Sequence, residues 1–211
     1  MTAPELSCPP DMARDVECIF AEGEYDLPVD FDKPPRIVDL GANVGAFARW
    51  ALTRWPGATV TAYEPFPKAL RYLRKNAQGH AITIVAKAVR SSDHAGKGTI
   101  YEGMNNLGQT GMVELARPSH QTEGVEVDVM AAASLPECDV LKIDTEGCEL
   151  EILREVMREC VMPPVIMLEY HRKEDRRRIE DLLVAQGYTL FSGLIRTPWL
   201  GTLRFVRGEA P

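Results

Sequence analysis

Several absences narrow the reading before any motif is considered. No stretch approaches the roughly 18 consecutive apolar residues that a membrane span requires. The N-terminus, MTAPELSCPPDMARD, lacks a basic start followed by an apolar run, so no signal peptide is expected. No C-x-x-C pair occurs, and the cysteines (Cys8, Cys18, Cys138, Cys148 and Cys160) are odd in number. Neither a disulfide framework nor a structural zinc site is expected, and the cytoplasm is the default compartment. Positive charge is also short: 24 Lys and Arg stand against 31 Asp and Glu, a formal charge of −7. Phosphate affinity comes from clustered positive charge, so nucleic acid is not an expected partner, and neither is a membrane.

What is present describes an ordinary globular chain. Its 211 residues are 45% hydrophobic and 26% charged, enough to bury a core without staples. No repeat or low-complexity tract occurs. Residues 1–35 read as an irregular lead-in punctuated by Pro9, Pro10, Pro28, Pro34 and Pro35, with a short helix around Met12–Phe20. Residues 36–211 read as one domain, for which either a monomer or a homodimer fits.

Strand and helix signals alternate along that domain. Strands are expected at Arg36–Leu40, Ala58–Tyr63, Ala81–Val85, Asp139–Ile143 and Pro164–Leu168. Between them, Val44, Phe47, Ala48, Ala51 and Leu52 fall on one helical face, as do Phe66, Ala69, Leu70, Leu73 and Ala77. Later helices carry Leu150, Leu153 and Met157, then Ile179, Leu182 and Leu183. The stretch Arg90–Ala133 reads as a β-rich excursion with alternating runs at Gly98–Tyr101 and Val125–Val129. Tyr188–Phe191 and Thr202–Val206 read as a final strand pair. The expected fold is α/β: a doubly wound, mostly parallel sheet with a terminal antiparallel pair. Ligands in such sheets bind beyond the carboxyl ends of the strands, where the strand order reverses.

Four strand ends carry candidate chemistry. After the first comes Asp39-Leu40-Gly41-Ala42-Asn43-Val44-Gly45. Gly41 and Gly45 remove side chains where backbone must approach a ligand and where helix must meet sheet. Asn43 stands where a G-x-G-x-x-G turn needs glycine for a pyrophosphate, so an adenosine without phosphate suits this turn better. Glu64 follows the second strand, 23 residues beyond Gly41, near the spacing of a carboxylate that accepts both ribose hydroxyls. Pro65 and Pro67 follow, suited to a helix's first turn, and Phe66 either staples that helix or lies against an adenine ring.

After the fourth strand, Lys142-Ile143-Asp144-Thr145-Glu146-Gly147-Cys148-Glu149 places three carboxylates within six residues. Helix capping explains Glu149 well and Asp144 less well. Lys142 on a central strand needs a partner, with Asp39 or Glu169 expected. After the fifth strand come Glu169 and His171, which the usual strand order brings near Asp144. A histidine beside carboxylates titrates in the range useful for proton transfer. Nothing adjacent marks Cys148 as an activated thiol. Arg172, Lys173, Arg176, Arg177 and Arg178 alternate with acids and read as a solvated, salt-bridged helix face. Asn105, Asn106 and Gly108 either close over a substrate or make turns.

The runs VDLGANVGAFARWA, AYEPFPKALRYLRKN, VLKIDTEGCELEIL and IMLEYH together resemble the FkbM-type S-adenosylmethionine-dependent methyltransferases over roughly residues 18–206. The resemblance implies the class I methyltransferase fold, Rossmann-like with a seven-stranded sheet, and O-methylation of a small-molecule or sugar-like acceptor. It implies that Gly41, Ala42, Asn43 and Gly45 run along the amino acid part of S-adenosylmethionine, with Asp39 beneath them. It further implies Glu64 at the ribose, and Pro65, Phe66 and the Lys87-Ala88 segment at adenine. Asp144 is expected by the amino acid or methyl end of the cofactor, with Glu146 and His171 facing the acceptor and His171 or Asp144 as base. No metal is assigned, although Asp144 and Glu169 would offer hard oxygens to Mg²⁺ in a metal-assisted variant. The alternative reading is an NAD-dependent oxidoreductase, opposed by Asn43 and by the lack of a Tyr-x-x-x-Lys pair. A non-catalytic nucleotide-binding module is a third.

Overall fold

The structure, a computed structural model, describes residues 5–101 and 124–208. The turn candidates Asn105, Asn106 and Gly108 therefore lie outside the described residues. A 3-10 turn at Pro10–Met12 leads into α1 (Ala13–Ala21), then β1 (Arg36–Leu40), α2 (Ala46–Arg54), β2 (Thr59–Tyr63) and α3 (Pro67–Asn76). β3 (Ile82–Val85), β4 (Ala88–Arg90), β5 (Gly96–Ile100) and β6 (Val125–Ala131) follow. The chain continues through β7 (Val140–Ile143), α4 (Glu149–Glu159), β8 (Val165–Tyr170) and α5 (Lys173–Ala185) to the hairpin β9 (Tyr188–Thr197) and β10 (Leu200–Arg207).

Seven strands form one sheet in the order β3-β2-β1-β7-β8-β10-β9. β3 through β8 run parallel, and β10 is antiparallel to both β8 and β9. Successive strand residues point to opposite faces. Ile37, Val60, Val140 and Val165 accordingly join Phe47 and Trp50 on one side. Val38, Leu141 and Ile166 join Ile152, Leu153 and Leu183 on the other. The alternation of elements predicts this doubly wound, mostly parallel sheet with its antiparallel end, and the family resemblance implies its seven strands.

Two features exceed what the hydrophobic pattern predicts. β9 and β10 continue to a turn at Pro198-Trp199, because backbone pairing extends the ladder through polar Ser192, Arg196 and Thr197. The short β4 has its backbone in register with β6, Ala88 opposite Val129, and with β5 makes a second three-stranded sheet. The basic cluster lies on α5, where Arg176 pairs with Glu180 and Arg178 with Asp175.

The segment ahead of β1 is stitched onto the sheet. Phe20, Tyr25 and Leu27 share a core with Trp50, and the Tyr25 ring meets Phe47 edge-on at 4.9 Å. Buried Glu24 accepts from Arg196 Nη2 at 2.7 Å and from Thr202 Oγ1 at 2.9 Å. Arg204 Nη1 donates to the carbonyls of Gly23 and Glu24. α1 is thereby held beside the carboxyl ends of β1 and β7, where strand order reverses and a ligand crevice forms.

Candidate active site

A cleft of about 490 Å³, its open mouth included, lies at that reversal. Its lining includes Gly41, Glu64, Pro65, Phe66, Ala88 and Asp144. Residues Asp39, Ala42, Asn43 and Gly45 do not line it but shape it from behind. Asp39 is fully enclosed, with its carboxylate 3.1 Å from Lys142 Nζ. Gly45, at φ +86°, admits the Leu73 side chain of α3, which a Cβ would approach to 2.7 Å. The close approach at that glycine is thus to a helix rather than to the sheet. Gly41 is tighter still: at φ +74° its Cβ would stand 1.8 Å from the carbonyl oxygen of Asp144. The glycine is demanded by contact between the β1 and β7 loops as well as by any ligand above them.

Glu64 ties two strand ends together. Its Oε2 accepts from the Asn43 N–H at 2.8 Å, and its Oε1 accepts from the Phe66 N–H at 2.7 Å. Burial pushes its carboxyl up to about 7, against the pull of those two N–H groups. A group that donates hydrogen bonds to this carboxylate favours its charged form. The diol of a ribose is such a group, and the nearby cleft wall of Pro65, Phe66 and Ala88 is apolar enough for an adenine. Asn43 adopts φ +48° and leaves its buried Oδ1 without a hydrogen bond. These residues fit an adenosine group. Phe66 also packs with Met12, Ile100 and Val127, so it serves a core and the cleft at once.

Beyond Asp144 lies an acidic cluster around His171. Nε2 of His171 is 3.4 Å from Glu146 Oε2, 3.7 Å from Glu169 Oε2 and 3.8 Å from Asp144 Oδ1. Its other nitrogen, Nδ1, is 3.2 Å from Glu149 Oε1. Glu149 also accepts from the N–H groups of Thr145 and Gly147, at 3.0 and 2.9 Å. Burial alone would lower the histidine, but Glu149, Glu146 and Asp144 raise it well above its ordinary range. Burial raises Glu146 and Glu169 above the usual carboxylate range, with Asp144 adding to both. Glu146 is held at φ +54°. It and Asn43 are the two non-glycine residues with positive φ among those described, and a left-handed backbone in such residues is uncommon enough to mark a site.

Lys142 lies under the cluster with 3% of its side chain exposed. It pairs with Asp39 as expected, but its second carboxylate is Asp144, at 3.5 Å, rather than Glu169. Its ammonium donates to the Gly41 carbonyl at 2.7 Å. The structure thus brings Asp144, Glu146, Glu169 and His171 together beside the cleft. Glu149 was legible in the sequence as a cap, but not as the group that holds His171. Burial pushes the Cys148 thiol up to about 12, so it is inert as a nucleophile.

The Methyltransferase FkbM domain family matches residues 39–190. The chain is 26% identical over 208 residues to Methyltransferase sdnD of Sordaria araneosa, covering 82% of this chain and 80% of that one. It is 29% identical over 152 residues to the 31-O-demethyl-FK506 methyltransferase FkbM of Streptomyces tacrolimicus, covering 57% and 58%. Among solved structures, Methyltransferase FkbM from Methylobacillus flagellatus KT superposes with a TM-score of 0.58 at 20% identity, covering 95% of this chain and 48% of that one. Precorrin-6y C5,15-methyltransferase from Geobacter metallireducens GS-15 superposes with a TM-score of 0.57 at 14% identity, covering 97% and 95%.

Proposed function

The chain belongs to the FkbM methyltransferase family, and from that premise we propose that it transfers a methyl group from S-adenosylmethionine to a hydroxyl oxygen of a small, sugar-like acceptor. Family membership sets aside the NAD-dependent oxidoreductase and the non-catalytic module. The observation that carries the finer reading is the adjacency of two environments. A half-apolar cleft with Glu64 at one side opens at Asp144 onto a cluster of carboxylates around His171. One relative is named for 31-O-demethyl-FK506 and another, from Haloferax volcanii, for hexuronic acid, which supports an oxygenated acceptor.

Glu64 would hold the ribose, Pro65, Phe66 and Ala88 would flank the adenine, and Gly41 with Asp144 would border the amino acid end. When bound, the cofactor supplies a methyl group already activated by a sulfonium charge. The protein's remaining tasks are to align the acceptor, exclude water and take one proton from the hydroxyl. Nδ1 of His171 is held by Glu149, and Glu146 is the carboxylate nearest its Nε2, so we assign the base to Glu146. Its raised affinity for a proton suits a base working near neutral pH. Asp144 and His171 would orient the acceptor hydroxyl toward it.

The test is calorimetry with S-adenosylmethionine, followed by assay of a panel of hydroxylated sugars, uronic acids and macrolactones. Formation of S-adenosylhomocysteine with an O-methylated product is the expected result. Methylation at nitrogen or carbon alone, or tight NAD binding without S-adenosylmethionine binding, would overturn the reading.

A further inference from the structure

Buried polar groups in folded proteins are almost always hydrogen-bonded, and each exception asks for an explanation. The cluster above sets Nε2 of His171 against three partly exposed carboxylates with no hydrogen bond among the four groups. The side chains of Asp144, Glu146 and Glu169 are 25%, 24% and 16% exposed, and none makes a hydrogen bond among the described residues. His171 is nine-tenths buried, and its Nε2, aimed into their midst, also makes none. If the cluster were simply an imidazolium caged by acids, Nε2–H would donate to one oxygen at about 2.7–2.9 Å. Its three neighbours instead stand back at 3.4–3.8 Å.

That spacing has another meaning. A cation with bonds of about 2.0–2.2 Å keeps neighbouring ligand atoms about 3.0–3.6 Å apart. The ligating atoms of Asp144, Glu169 and His171 all lie within 4.8 Å of one another, so small side-chain rotations reach that geometry. The chain also supplies the outer shell such a site needs. A ligating histidine typically gives its second ring N–H to a carboxylate. Glu149 takes that place at Nδ1 and is itself fixed by Thr145 and Gly147. Lys142 draws Oδ2 of Asp144 to one side and leaves Oδ1 facing Nε2.

We propose that Asp144, Glu169 and His171 bind one divalent cation of the Mn²⁺ or Mg²⁺ class. Two carboxylates and one imidazole suit a hard or borderline ion and leave coordination positions open to water and to an acceptor oxygen. Such an ion neutralises part of the cluster's charge and takes His171 as neutral imidazole, releasing its proton. Its catalytic role rests on the proposed O-methylation: it would polarise the acceptor hydroxyl and make its proton easier for Glu146 to remove. Binding of the ion does not depend on that role.

The experiment titrates Mn²⁺ into the EDTA-treated, desalted 211-residue chain, followed by electron paramagnetic resonance. One Mn²⁺ per chain with a dissociation constant below about 10⁻⁴ M is expected. Spin-echo modulation from imidazole nitrogen should be present, and lost in His171→Gln. Glu169→Gln and His171→Gln should each weaken binding by more than about tenfold, and Glu149→Gln by about 10–100-fold. Calorimetry with S-adenosylmethionine on the same samples reports folding and the cofactor site separately. Cofactor binding without stoichiometric Mn²⁺ binding overturns the cation site and leaves the methyltransferase reading standing. Mn²⁺ binding that none of the three substitutions alters also overturns it. Mn²⁺ binding with no cofactor binding would instead overturn the cofactor assignment alone.

Discussion

Lys142 and Asp39 stand directly opposite one another on β7 and β1, with Nζ 3.1 Å from Oδ1 and almost no exposure on either side chain. The contact is ionic rather than a well-directed hydrogen bond, since the lysine's donors serve the Gly41 and Leu40 carbonyls. Removing one partner of a buried pair leaves the other charged and unsolvated, at a cost of about 3–5 kcal/mol. Lys142→Met should lose about that much in urea denaturation. Lys142→Met combined with Asp39→Asn should recover at least half, because no charge is then stranded. Equal losses in the single and double variants would show that the carbonyl contacts, not the pair, matter.

Gly41 and Gly79 share φ +74°, which makes them a matched pair of probes. A Cβ at Gly79 meets nothing within 4 Å, whereas one at Gly41 meets the Asp144 carbonyl at 1.8 Å. Gly79→Ala should cost only the left-handed backbone penalty, about 1–2 kcal/mol. Gly41→Ala should cost at least about 2 kcal/mol more, since neither backbone segment can retreat without breaking β1 or β7 pairing. Thermal melts of the two variants compare them. Similar losses would mean that the loops separate easily.

Both of these relationships have a root that can be read in the sequence. Gly41 and Glu64 belong to short motifs at strand ends, where turn chemistry acts over a few residues. The strand order needed to place Lys142 against Asp39 follows from the usual doubly wound topology, so that pairing was legible too. Glu149 was not, because a glutamate at the start of a helix already has a sufficient local explanation in the helix dipole. Its contact with His171 spans 22 positions and depends on where α4 delivers the chain to β8. The Glu24–Arg196 contact spans 172 positions and leaves no trace in periodicity at either end.

Glu64 links stability and cofactor binding to pH. Its carboxyl is raised from 4.5 to about 7, so between those values the folded chain holds a proton that the unfolded chain releases. The stability this contributes is fully present below about 4.5 and is lost as pH rises through 7. Urea denaturation between pH 5 and 8 should show this decline in the free protein, and Glu64→Gln should flatten it. Ribose hydroxyls donating to the carboxylate would favour its charged form. Binding of S-adenosylmethionine near pH 6–7 should therefore release up to about one proton, and affinity should rise with pH toward 7. Calorimetry in buffers of different ionisation enthalpy measures that release. Proton uptake would place the ribose elsewhere.

Glu146 pays for its position twice, and both costs can be removed by one substitution. Its backbone is left-handed at φ +54°, and its carboxylate is three-quarters buried among Asp144 and other acids. A left-handed conformation costs a non-glycine residue about 1–2 kcal/mol, and glycine adopts it freely. Glu146→Gly should therefore stabilise the protein by about 1 kcal/mol, an unusual gain for truncating a buried side chain. Its turnover with an acceptor from the panel should fall by about 10²–10⁴-fold, the usual consequence of losing a general base. Glu146→Gln separates the two effects: it keeps the strained backbone and removes only the proton-accepting group. Its rate should fall as far, its stability should change less, and its calorimetric affinity for S-adenosylmethionine should match the unaltered protein. Both variants turning over normally would move the base to another group. A loss of stability in Glu146→Gly would mean that the side chain's contacts outweigh the strain.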